Sequence, residues 1–86
     1  MNFKKEDLAD MIAQILPERE IQWDSHFFKS GGNSLSAARL VFRVNQSQGI
    51  QLGIRDVVKS PSLEDLYKEI VAKRNEMDKK EKSHVS

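Results

Sequence analysis

The fold of this 86-residue chain is decided near its middle, by the stretch Phe27-Phe28-Lys29-Ser30-Gly31-Gly32-Asn33-Ser34-Leu35. Its aromatic pair is followed by a glycine pair, which gives the backbone freedom to turn. Asparagine and serine then stand where the next apolar run begins, and both residue types are favoured at helix N-caps. The stretch therefore predicts a loop that delivers the Ser34 hydroxyl to the start of a helix.

Apolar residues recur at helical spacing on both sides of this loop. The pattern predicts helices over residues 4–16, 34–48 and 54–59, and a last helix that begins around residues 60–62. Pro17 and Gly49 are suited to end the first two helices, and Ser62 with Asp65 forms a capping pattern for the last. We expect an all-α fold, a small four-helix bundle with three main helices and one short helix.

The long segment between the first two helices lacks helical periodicity, yet it is rich in large apolar side chains. These are Ile21, Trp23, Phe27 and Phe28. A solvated linker would rarely hold them, so we expect a loop folded against the core. We assign His26, in the same segment, to the loop surface without a role. From Lys73 the chain is nearly all polar, which predicts a folded domain over residues 1–75 and a mobile tail over residues 76–86.

Composition limits the function classes. The chain has no cysteine, and its two histidines, His26 and His84, are far apart, so no disulfide or metal site is expected. Its net charge of +1, with basic residues scattered among acidic ones, gives no reason to expect nucleic acid as a partner. No apolar run approaches the roughly 18 residues of a membrane span, and charges interrupt the N-terminus where a signal peptide would lie. We expect a cytoplasmic monomer.

Spacing alone leaves two interpretations of Ser34 open. Glycine, asparagine and serine before an apolar run are most often a loop and a helix cap. The functional alternative is an esterified phosphate on Ser34, because free N–H groups and the helix dipole favour an anion at that place.

The segment from about Leu8 to Val71 resembles a peptidyl carrier domain of the nonribosomal peptide synthetase type, within the acyl-carrier-protein-like family. The matching features follow the family's order: Asp24, Phe27, Phe28, Gly31, Gly32, Ser34, Leu35, Ala38-Arg39-Leu40, Gly49-Ile50-Gln51-Leu52 and Pro61-Ser62-Leu63-Glu64-Asp65-Leu66. One departure is Ser30, preceded by Lys29, where the family usually has an apolar residue.

The resemblance implies that a phosphopantetheinyl transferase moves 4'-phosphopantetheine from coenzyme A onto Ser34. An aminoacyl, peptidyl or acyl group would then be held as a thioester on the arm. The implied partners are that transferase, an adenylating enzyme, and downstream condensing, modifying or thioesterase enzymes. The chain would be a carrier over residues 1–75 and not an enzyme.

The second helix has two apolar faces. Ala37, Leu40, Val41 and Val44 form one face, which is a normal core stripe. Leu35, Ala38 and Phe42 cluster roughly 150° around the helix from it. Either the long loop covers this second cluster, or the cluster is a partner-docking surface beside Ser34, edged by Arg39 and Arg43. We predict the docking surface.

Two alternatives come from other classes, and a third comes from within the carrier class. A serine hydrolase is disfavoured because Gly32-Asn33-Ser34-Leu35-Ser36 lacks the second glycine of a G-x-S-x-G elbow. A helical interaction module without a prosthetic group would explain the bundle but makes the glycine–serine pattern accidental. A fatty-acid or polyketide-type acyl carrier typically has Asp-Ser-Leu and an acidic second helix, whereas Asn33 precedes Ser34 here and Arg39 and Arg43 follow.

Overall fold

Four α-helices make up the computed structural model, which describes the backbone of residues 3–17 and 20–85 and the side chains of 3–17 and 20–76. They are α1 (Lys5–Ile15), α2 (Ser34–Gln48), α3 (Ile54–Lys59) and α4 (Leu63–Val85). The described residues contain no strand, so the all-α prediction is confirmed. The bounds of α2 and α3 are those predicted, and α1 is one residue shorter at each end.

The helix ends follow the local sequence. The Asn33 side chain accepts a hydrogen bond from the Ser36 N–H at 2.9 Å and so caps α2, while Gly49 ends that helix at φ 65°, in the left-handed region. The Ser62 hydroxyl accepts from the Asp65 N–H at 3.2 Å, which confirms the predicted capping of α4. The α1 helix ends just before Leu16 and Pro17, as a proline requires.

The core is formed by one side of every helix together with the long loop. Its buried apolar residues are Phe3, Leu8, Ile12, Phe27, Ala37, Leu40, Val44, Ile50, Leu52, Val57, Leu63, Leu66 and Ile70. Ile21 and Trp23 pack against them, so the loop is folded on the core as predicted. Each fully buried side chain of leucine or phenylalanine size contributes about 1.5–3 kcal/mol, so this core is the main source of stability.

The N-terminal segment contributes a core residue that the sequence analysis did not identify. Phe3 is 4% exposed, and its ring stacks on Tyr67 of α4 with centroids 6.0 Å apart. The Tyr67 hydroxyl donates to the Phe3 carbonyl at 2.9 Å. Phe3 lies outside the helical stripe of α1, so helical periodicity gave no signal for it.

The last helix is longer than expected. It continues to Val85, because the run after Lys73 contains helix-forming residues and neither glycine nor proline. The side chains of residues 77–86 lie outside the described part, so the division into a domain of residues 1–75 and a mobile tail of residues 76–86 stays a prediction. None of the helices in the described backbone is both long and apolar enough to cross a bilayer.

Candidate attachment site at Ser34

The loop before α2 is closed by its own hydrogen bonds. The N–H of Ser30 donates to the His26 carbonyl, and the N–H of Gly32 donates to the Phe27 carbonyl, each at 3.1 Å. Gly31 has φ 100°, which side chains rarely adopt, so a glycine is required at this turn. The loop therefore reaches α2 in a defined conformation.

Gly32 is required for a different reason, the absence of a side chain. A Cβ atom added here would lie 2.3 Å from the Phe27 ring, which is buried directly beneath it. Backbone freedom is the role that the sequence predicts for both glycines. The structure confirms this for Gly31 and shows that Gly32 instead allows the aromatic anchor to pack.

Ser34 is the first residue of α2 and is exposed. No acceptor among the described residues takes the N–H of Ser34 or Leu35. These two N–H groups are therefore available to an anion on the Ser34 oxygen, at the positive end of the helix dipole.

The neighbouring serines are engaged elsewhere. The Ser30 hydroxyl donates to the His26 carbonyl at 3.2 Å. Ser36 is 9% exposed, and its hydroxyl donates to the Asn33 side chain at 3.2 Å. Within the described part of the chain, the Ser34 hydroxyl makes no hydrogen bond. Of these three serines, Ser34 is the fully exposed one, while Ser30 is partly buried and Ser36 is buried.

The second apolar cluster of α2 faces solvent. Leu35 is 63% exposed and Phe42 is 61% exposed, whereas Ala37, Leu40 and Val44 on the core face are fully buried. Ala38 lies between these extremes. The long loop therefore does not cover the cluster, and that explanation is wrong.

A groove of about 620 Å³ lies between α1 and α2 along this exposed cluster. Its lining is Gln14, Ile15, Ala38, Arg39, Phe42, Arg43 and Gln46. The Arg43 guanidinium donates to the Gln14 side chain across the groove. The lining holds two arginines and no carboxylate, so its charge favours an acidic ligand or partner.

His26 has a structural role that the sequence analysis missed. Its Nε2 lies 2.7 Å from the carbonyl oxygen of Val58 in α3, and its Nδ1 lies 3.0 Å from the Phe28 nitrogen. The predicted place of His26 in the loop is correct, since the residue is partly exposed there, but the expectation of no clear role is wrong, because the imidazole contacts two backbone groups. A polar residue two positions before a turn N–H was a local signal for the Phe28 bond, but nothing local indicated the bond to residue 58.

Comparison with known proteins connects this site to a family. Residues 6–70 match the family described as "Phosphopantetheine attachment site". The chain is 32% identical over 71 residues to surfactin synthase subunit 1 of Bacillus subtilis, covering 83% of this chain and 2% of that protein. It is 45% identical over 51 residues to the phosphinothricin tripeptide synthetase PhsC of Streptomyces viridochromogenes, covering 59% of this chain and 5% of that protein.

One solved structure is similar over nearly the whole chain. It is the solution structure of a non-covalent extended docking domain complex of the Pax NRPS. The two chains align with a TM-score of 0.73 and 26% identity, over 96% of this chain and 86% of the other. The similarities in sequence and in fold therefore both point to a carrier domain of a nonribosomal peptide synthetase.

Proposed function

The chain belongs to the phosphopantetheine attachment site family as a peptidyl carrier protein of the nonribosomal peptide synthetase type, and on that premise we propose that Ser34 bears its 4'-phosphopantetheine. The observation that carries the proposal is the exposed position of Ser34 at the start of α2, where its hydroxyl makes no hydrogen bond to the described residues. Ser30 and Ser36 have hydroxyls engaged within the loop and the helix cap.

The residues around Ser34 fit a phosphodiester. The two N–H groups of Ser34 and Leu35, which have no acceptor among the described residues, and the helix dipole stabilise its negative charge, and the preceding Gly31 and Gly32 add no side chain that would crowd it. Ser34 supplies the oxygen of the new phosphoester bond as the P–O bond to the 3',5'-ADP part of coenzyme A breaks. The hydroxyl proton leaves to the transferase. The bound arm supplies the thiol on which a thioester forms. The chain itself cannot supply this thiol, because it has no cysteine.

The test is loading in vitro. Wild-type protein incubated with coenzyme A and a broad-specificity phosphopantetheinyl transferase should gain the mass of one phosphopantetheine. Ser34→Ala should gain none while keeping its helical circular dichroism. Ser47→Ala, which removes an exposed hydroxyl from the other end of α2, is the matched control and should load like wild type. Loading of Ser34→Ala would contradict the assignment.

We further infer that Leu35, Ala38 and Phe42, edged by Arg39 and Arg43, form a docking surface for partner proteins. The matching surface of the partner would be acidic with an apolar centre. The exposure of Leu35 and Phe42 and the carboxylate-free groove beside them support this inference. Arg39 is exposed and has no ion-pair partner among the described residues, so its charge is available to a partner. The partners are the transferase, an adenylating enzyme and downstream condensing, modifying or thioesterase enzymes, and the carrier performs no catalysis itself.

Two variants test the docking surface. Phe42→Ala and Arg39→Glu should each change the free energy of unfolding by less than about 0.5 kcal/mol, because both side chains are exposed. Each should lower kcat/KM for loading by the transferase by about tenfold. For Arg39→Glu the loss should shrink as salt is added.

The control for charge is Lys68→Glu, which makes the same charge change at an exposed position of α4. It should lower kcat/KM by less than about twofold. Equal effects of Arg39→Glu and Lys68→Glu on kcat/KM would mean that loading depends on the net charge of the molecule and not on a specific contact of Arg39. A loss of several kcal/mol in Phe42→Ala would assign Phe42 to the core and remove the centre of the surface.

A further inference from the structure

We propose that His26 is a positioning residue: its neutral imidazole joins the attachment loop to α3 and fixes the loop for transfer of the arm, an inference that rests on the proposed attachment at Ser34. The imidazole is partly buried and contacts two backbone groups that are distant in sequence. One contact lies within the loop, at Phe28, and the other lies at Val58, near the end of α3.

The two contacts determine the tautomer. The Phe28 N–H is a donor, so Nδ1 at 3.0 Å must accept and carries no proton. The Val58 carbonyl is an acceptor, so Nε2 at 2.7 Å must donate. Both hydrogen bonds exist together in the neutral Nε2–H form and in no other form of the ring.

The hydrogen bonds around His26 show why this connection matters for Ser34. Before His26 the loop is held to the start of α4, where the N–H groups of Leu63 and Glu64 donate to the carbonyls of Ser25 and Trp23 at 2.9 Å. After His26 the hydrogen bonds of residues 27–32 in the described part stay within the loop. The Nε2–H bond to Val58 is therefore the last hydrogen bond from the loop to another element before α2 begins.

The His26 ring also contacts an exposed apolar side chain of the loop. The imidazole packs edge-on against the Phe28 ring, with centroids 5.3 Å apart. Phe28 is 37% exposed, and Val58 is 45% exposed. A transferase must hold the Ser34 oxygen within reacting distance of a phosphorus atom, and transfer steps are sensitive to displacements of about 1 Å. Loss of the connection to α3 therefore affects transfer more than it affects folding.

Substitution of His26 by asparagine or by glutamine removes one of its two hydrogen bonds and keeps the other. In His26→Asn the side-chain oxygen lies about where Nδ1 lies and still accepts from Phe28, but it does not reach Val58. In His26→Gln the amide nitrogen lies about where Nε2 lies and still donates to Val58, while the Phe28 bond is lost. His26→Ala loses both. The readouts are the denaturant midpoint and kcat/KM for loading by a broad-specificity transferase with coenzyme A.

The inference predicts that His26→Gln loads within about twofold of wild type. His26→Asn and His26→Ala should load about fivefold more slowly, the factor that corresponds to one hydrogen bond of about 1 kcal/mol. His26→Asn and His26→Gln each lose one hydrogen bond, so their denaturant midpoints should be similar, and a difference in loading between them is then not caused by a difference in stability. A ¹H–¹⁵N spectrum optimised for the imidazole ring should show a proton on Nε2 and none on Nδ1.

Loading by His26→Asn equal to or faster than by His26→Gln would overturn the inference, and so would unchanged loading in all variants or a proton on Nδ1 in the neutral ring. Equal losses in all three variants would also overturn it, because the bond to Val58 would then carry no specific effect. These outcomes are distinct from failure of the proposed function, which would appear as no loading of wild type or as loading of Ser34→Ala.

Discussion

Adjacent glycines that look equivalent in the sequence have separate physical roles before Ser34. Gly31 adopts φ 100°, where an L side chain would be strained, whereas Gly32 lies against the ring of Phe27. Phe27 is 1% exposed and ties the loop to the core. The pair therefore combines a turn with close packing, and both place Ser34 at the start of α2.

Gly32→Ala should destabilise the protein by about 1–3 kcal/mol, since the new Cβ overlaps the Phe27 ring and forces the loop or the ring to move. The measurement is the denaturant midpoint. Gly53→Ala is the control, because a Cβ at that position would meet ordinary contacts of 3.7 Å or more. Its loss should be about 1 kcal/mol or less. Equal denaturant midpoints for wild type and Gly32→Ala would contradict the close contact between residue 32 and the Phe27 ring.

At the scale of the elements, Asp56 links the short helix α3 to α4. Its carboxylate accepts from the Gly53 N–H at 2.9 Å and lies 3.6 Å from the Lys59 ammonium and 3.7 Å from that of Lys73 in α4. Burial raises the pKa of the Asp56 carboxyl, but the Gly53 hydrogen bond and the charges of Lys73 and Lys59 outweigh burial and lower it overall.

This lowered pKa predicts a pH dependence of stability. An unfolded aspartate has a pKa of about 4, so the Asp56 contribution is present above that pH and is lost as the pH falls through the lower folded pKa. Asp56→Asn keeps an oxygen for the Gly53 N–H but removes the ion pairs. It should be less stable than wild type at pH 7 by about 0.5–1 kcal/mol.

The measurement is the difference in thermal midpoint between wild type and Asp56→Asn as a function of pH. The difference should narrow steadily as the pH falls below about 4. Asp10→Asn, an exposed carboxylate of α1, is the control and should show a small difference throughout. A gap for Asp56→Asn that stays constant down to pH 2 would contradict the ion-pair account.

The elements also show how far the sequence predicts the fold. Apolar periodicity and the stop at Gly49 were sufficient for the bounds of α2, because both are local properties of the chain. Phe3 on Tyr67 and His26 on Val58 could not be predicted, since each joins residues 32 or more positions apart. The extent of α4 could not be predicted from apolar periodicity, because the polar residues after Lys73 offer no apolar stripe although they favour a helix.

At the scale of the whole molecule, the core residues and the proposed site residues occupy different faces of the same helix. The buried face of α2 joins the bundle, while the opposite region presents Ser34, Leu35 and Phe42 to solvent. We expect this division to let a small domain keep its stability while the exposed face is modified and bound by partners. The sequence could predict this exposed apolar face, because a helix with one buried interface does not require a second apolar cluster.

The central claim, that Ser34 alone bears the arm, is tested most directly by locating the added mass within the loaded wild-type protein. Trypsin cleaves after Lys29 and Arg39 and releases residues 30–39, a peptide that contains Ser30, Ser34 and Ser36. Fragmentation of this peptide distinguishes the three hydroxyls. The account predicts that the phosphopantetheine mass lies on Ser34 in every modified molecule. Its presence on Ser30, on Ser36 or on any other tryptic peptide would contradict the account.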